Sequence, residues 1–139
     1  LHAQALYERA IAAGPTLATN LGNYAGFLLA QGEDERGLLL LRTVMDQIGP
    51  EDQSGLAAEC WFYFYANGPA SSQETALKAL RRLVDLGVRS LNWNFDRNIA
   101  RAKERGHPQG EWLDRLAAVI NRSAEPAVLD GWESWTKAV

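Results

Sequence analysis

The side chains best suited to bind a metal or move a proton at neutral pH are few: His2, His107 and the single cysteine, Cys60. The histidines stand far apart, and neither has a cysteine or carboxylate at metal-ligand spacing, so no metal site is expected. One cysteine excludes an intrachain disulfide and a cysteine-held metal, and Cys60 reads most simply as a small core residue. His107 precedes Pro108 and reads as a loop residue, not a catalyst. No phosphate loop, nucleophile elbow or zinc signature is present. With no convergent nucleophile, base and metal set, the expectation is a non-enzymatic protein without a cofactor. Asn121-Arg122-Ser123 matches a glycosylation triplet, but with no secretion signal in view it reads as chance.

Three features bear on binding. The run Trp61-Phe62-Tyr63-Phe64-Tyr65 is aromatic throughout. Successive helical side chains turn by about 100°, so five rings cannot all face one core. If Cys60 and Phe64 point inward with Leu56, then Trp61 and Tyr65 point elsewhere. They form an aromatic platform for a ligand, or a face that the C-terminal residues fold back to bury. Gly22 and Gly26 lie one turn apart, which allows a close approach by a partner backbone or by a neighbouring helix. Arg97, Arg101 and Arg105 form an i, i+4, i+8 stripe. Residues 78–105 hold eight basic and three acidic residues, a balance of +5, whereas 51–77 hold four acids and no base. The stripe is either a docking face for an acidic segment or nucleic acid, or a solvated helix face.

Composition narrows the classes. At 139 residues and 47% hydrophobic, the chain can bury one sizeable core, and disorder is not expected. The net charge of −3 argues against a dedicated nucleic-acid binder. No apolar run approaches a membrane span, and no signal peptide is visible, so a soluble, cytoplasmic protein is expected. The chain begins at Leu1, inside what reads as a helix, and is expected to be a fragment or a processed product.

These residues must be positioned by helices. Apolar positions at helical spacing predict helices over 2–13, 17–31, 34–48, 53–67 and 73–87. Gly14-Pro15, Gln31-Gly32, Gly49-Pro50 and the loop 67–72 separate them. Past Gly87, Asn92 or Asn94 caps a helix to about 105, His107-Pro108 starts another to about Arg122, and Glu125-Pro126 starts a short last one. Trp132 on that last helix is expected to dock near Leu116 or Ile120. No segment alternates with period two for long enough to be a strand. The fold class is all-α, in one domain over 1–139.

A longer period overlies the helices. Ala3, Tyr7, Ala10 and Pro15 run small, large, small, proline, and Gly37, Leu41, Val44 and Gly49 repeat the sizes 34 residues on. Leu6 and Ile11 recur as Leu40 and Met45. In 73–87 the same small-large spacing returns as Ala76, Leu80 and Leu83. With Leu6-Tyr7-Glu8-Arg9-Ala10-Ile11 before Pro15, and Leu21-Gly22-Asn23-Tyr24-Ala25 before Gln31-Gly32, residues 1–50 resemble the tetratricopeptide repeat family. Residues 53–87 resemble a degenerate further repeat.

The resemblance implies an α-α superhelix, a solenoid of helical hairpins over 1–87 with capping helices over 88–139. It implies a concave groove lined by the first helix of each pair, where a protein or peptide segment lies. On that geometry the partner site is Asn23, Gly26, Trp61 and Tyr65. Helix 17–31 carries no Lys or Arg, which departs from the subgroup that clamps a terminal carboxylate. The expected function is a protein- or peptide-binding module. The alternative is self-assembly through the open N-terminal end of the solenoid.

Overall fold

A computed structural model describes residues 18–49, 51–90 and 94–139. The expected helix 2–13, with Ala3, Tyr7, Ala10 and Pro15, lies outside them, as does Asn92. Among the described residues there are seven α-helices and no strand: α1 (Ala18–Ala30), α2 (Asp34–Ile48), α3 (Gly55–Asn67), α4 (Gln73–Asp85), α5 (Asp96–Glu104), α6 (Gly110–Ile120) and α7 (Glu133–Thr136). The chain divides into two compact units between Asp52 and Gln53.

The first unit holds the hairpin of α1 and α2. Gly32 ends α1 at a φ of 88°, a left-handed conformation that a Cβ would strain. There the Gly32 N–H donates to Leu29 O (3.1 Å) and the Glu33 N–H to Leu28 O (2.9 Å), which satisfies carbonyls the helix leaves open. Asp34 and Glu35 occupy the first turn of α2, where negative charge suits the helix dipole. The buried line of α2 is Gly37, Leu41 and Val44, the residues singled out by the 34-residue period. The small member is required by space. A Cβ on Gly37 would stand 2.8 Å from Leu29 Cγ and 3.2 Å from the Leu29 backbone nitrogen. From α1 the core receives Leu21, Tyr24, Ala25, Leu28 and Leu29.

The second unit is built around α3. Ser54 caps it, its Oγ accepting the Ala57 N–H at 3.2 Å. Helices α4, α5 and α6 all pack on α3, α5 packs on α6, and α7 packs on α4. This enclosure accounts for the aromatic run. Phe62, Tyr63 and Tyr65 are all buried, although Tyr63 points away from the face that Phe62 and Tyr65 share. Phe95, just before α5, covers Phe62 (ring centroids 4.3 Å) and meets Tyr63 edge-on (5.5 Å). Phe64, expected inside with Cys60, is only half-buried, whereas Cys60 is buried.

From α4, Ala76, Leu80 and Leu83 are buried, at the same four-and-three spacing as the line on α2. The loop after α3 is shorter than expected, because Ala70–Ser72 forms a 3-10 turn leading into α4. Asn94 Oδ1 accepts the Asp96 N–H at 2.8 Å at the start of α5. The last expected helix is split into a 3-10 turn, Pro126–Leu129, and the one-turn α7. Among the described residues no helix is long and apolar enough to cross a membrane.

Candidate functional site

On α1, Asn23 and Phe27 stand one turn apart. Phe27 is 50% exposed and lies stacked on Tyr24, centroids 6.4 Å apart at 15°. The Tyr24 hydroxyl accepts a long bond from Arg36 Nη2 (3.5 Å), and Arg36 is held in turn by Glu33 (2.6 Å). The ring shelf is therefore fixed from α2. Asn23 is half-buried, and its Oδ1 is enclosed with no hydrogen-bond partner among the described residues. An enclosed amide oxygen without a donor costs about 1–3 kcal/mol. Asn20, one turn before, is exposed. Gly26 is buried, so it lies beneath this face and not on it.

On α3 the expected pair Trp61 and Tyr65 separates. Trp61 is half-buried and meets Phe64 edge-on, centroids 6.2 Å apart at 78°. Tyr65 is 2% exposed, and burial holds its hydroxyl well above the usual phenol range. The reading of Tyr65 as a groove residue is thus corrected. Its ring packs against the His107 ring (5.1 Å) and the Trp132 indole (6.2 Å), neither of which the helical register of α3 foretells. The accessible aromatics of the run are Trp61 and Phe64.

Tyr65 is instead covered by C-terminal residues, the other reading of this face, through a tryptophan column that helical spacing did not foretell. Trp112, Trp132 and Trp135 stack in one column, 5.5 Å apart at 3° and 6.0 Å apart at 10°. Arg115 covers the Trp112 end at 4.8 Å, and Arg81 covers the Trp135 end at 5.2 Å. Arg81 also donates to Trp135 O (2.8 Å) and pairs with Asp85 (3.1 Å). Trp132 is buried and donates its Nε1–H to Gln109 Oε1 at 2.8 Å. It stacks on Trp112, one turn nearer the start of α6 than the expected Leu116. Beside the column lies a cleft of about 370 Å3 lined by Tyr65, Gln73, Leu77, Lys78, Gln109 and Lys137, among others.

His107 is engaged on both nitrogens. Nε2 lies 3.1 Å from Tyr65 O, which can only accept, so Nε2 carries the proton. Nδ1 accepts the Gln109 backbone N–H at 3.0 Å. Burial, with the charge of Arg105 in the same direction, lowers the His107 pKa below the usual imidazole value; the Tyr65 bond opposes them. A ring bound at both ends joins the turn to α3 and has no nitrogen left for general-base work. Of the arginine stripe, Arg97 and Arg105 are exposed and Arg101 is half-buried on α5, where Lys103 pairs with Asp114 of α6. Among the described residues no three of His, Cys, Asp and Glu are placed to hold a metal ion.

Compared with protein-family models, with curated proteins and with solved structures, the chain matches none.

Proposed function

We propose that this chain is a peptide- or protein-binding module of the tetratricopeptide type, non-enzymatic, whose partner lies on α1. The observation that carries the reading is the buried small-large-large line. Gly37, Leu41 and Val44 on α2 and Ala76, Leu80 and Leu83 on α4 serve the same packing role at the same spacing, once in each unit. A helix whose inner side is given to such a line leaves the first helix of its hairpin to meet a partner. On α1 that face offers the chemistry an extended peptide needs. Phe27 supplies a fixed, half-exposed ring as an apolar anchor, and the half-buried Asn23 amide lies one turn before it. In the second unit, Trp61 with Phe64 is a separate aromatic anchor of the same kind. The stripe Arg97, Arg101 and Arg105 belongs to a runner-up surface for acidic segments.

The test is selection of peptides from a random display library against the whole chain, followed by titration of a selected peptide into variants. Phe27→Ala and Asn23→Ala are each expected to weaken binding by more than about 1 kcal/mol with the melting temperature nearly unchanged. If both variants bind like the parent chain while Arg97, Arg101 and Arg105 changed together to Ala abolish binding, the basic stripe is the site. If no peptide is retained, the module reading is lost.

A further inference from the structure

The turn between α5 and α6 connects an ionisable ring to the C-terminal tryptophan column through one residue. Gln109 uses its backbone N–H to reach His107 Nδ1 at 3.0 Å and its side-chain Oε1 to receive the Trp132 indole N–H at 2.8 Å. The same ring is tied on its far side to Tyr65 O at 3.1 Å, and the Tyr65 ring touches both His107 and Trp132. The imidazole therefore joins α3 to the turn that opens α6, and Gln109 and the Tyr65 ring link both to the segment that carries Trp132.

We propose that His107 is an acid-operated latch, its second protonation releasing Gln109 and, through Gln109, the Trp132 indole. The proton balance is simple. Neutral His107 carries its hydrogen on Nε2, donated to Tyr65 O, and leaves the Nδ1 lone pair for the Gln109 N–H. A proton taken from water onto Nδ1 turns that acceptor into a donor, and two N–H groups then face each other across 3.0 Å. The Gln109 backbone must move away. Its side chain moves with it, so the Trp132 indole loses its acceptor within an apolar setting, where an orphaned N–H is costly.

The charged groups on the surrounding elements do not rescue the imidazolium. Arg105, just before the ring, repels it. Lys78 on α4 is matched by Glu74, and Lys137, just after α7, by Glu133, each four residues away. Glu111 stands in the first turn of α6 and is exposed. The Gln73 amide, 3.4 Å from Nε2, is uncharged. Sign follows from geometry: the clasp is closed at neutral pH and opens as pH falls, in the part of the scale where histidines charge.

The experiment follows the Trp132 indole N–H and the His107 ring by nuclear magnetic resonance in the whole chain, from about pH 7.5 to about pH 5. The expected result is that the indole signal shifts with the midpoint of the His107 ring signals. Its exchange with solvent should rise about tenfold, as for the loss of one hydrogen bond, while far-UV circular dichroism stays constant. In His107→Asn, whose Oδ1 can still accept the Gln109 N–H but cannot titrate, the indole signal should not move. A Trp132 signal that stays fixed while His107 titrates overturns the proposal. So does a transition with an unchanged midpoint in His107→Asn, or a His107 ring that charges only as the helices melt. If the variant does not fold, the two midpoints in the parent chain decide alone.

Discussion

Glu59 shows how a single side chain can be set against its surroundings. It sits on α3, a helix enclosed on most sides, and is half-buried. Burial pushes its carboxyl above the usual value, and the hydrogen bond donated by Ser90 Oγ at 2.7 Å pulls the other way. Ser90 is itself fixed, its N–H donating to Ile120 O at 2.8 Å. A raised carboxyl means that the folded chain holds the proton more tightly than the unfolded chain does. Its contribution is therefore most favourable below the unfolded value of 4.5 and is lost as pH rises through the folded one. Glu59→Gln keeps an acceptor for Ser90 and removes the charge. It should raise the melting temperature at neutral pH, and the difference should vanish below pH 4.5. A variant that melts no higher than the parent at neutral pH would show that Glu59 is better solvated than its position implies.

Four helix endings share one hydrogen-bond pattern, and one of the four lacks the glycine. After α4 and α5, as after α1, a glycine in the left-handed region lets the next N–H reach back five residues: Val88 to Leu83 O (2.9 Å) and His107 to Ala102 O (3.0 Å). After α6 the same pattern runs from Ser123 to Ala118 O (2.7 Å), but the left-handed residue is Arg122, with a φ of 64°. A residue with a Cβ pays about 1–2 kcal/mol there, and glycine would lose about 0.4–1 kcal/mol to its freer unfolded state. Arg122→Gly should thus stabilise the second unit by up to about 1 kcal/mol, read as a higher urea midpoint at unchanged slope. A lower midpoint would mean that the Arg122 side chain contributes more than its strained backbone costs.

At the scale of the whole chain, the C-terminal residues complete the core of the second unit. Trp132 and Trp135 are both buried although the helix that Trp132 precedes and Trp135 belongs to is one turn long. So short a helix has no stability apart from its packing. Its hold comes from the stacked column, the cations at both ends and the Gln109 bond. Trp132→Ala should cost about 3–5 kcal/mol, measured by denaturant unfolding of the intact chain. A cost below about 1 kcal/mol would mean that the segment is laid on the core and not built into it.

What could be read from the residues was what their neighbours in sequence decide. Helix spans follow from apolar spacing and from Gly32, Gly87 and Gly106, and α2 falls over 34–48 as the pattern required. The lines Gly37-Leu41-Val44 and Ala76-Leu80-Leu83 were legible because a period of four and three places all members on one helix face. Other features depended on residues distant in the chain. Helical register alone gave Tyr65 to an outer face; it is interior because His107, 42 residues on, and Trp132 close over it. The clasp of Trp132 on Gln109 spans 23 residues, and the bond between the buried Asn67 and Asn98 amides spans 31. Periodicity states which side of a helix is apolar. Where a helix is apolar on nearly every side, as α3 is, only the elements that pack around it decide which rings are core and which, like Trp61, remain within reach of solvent.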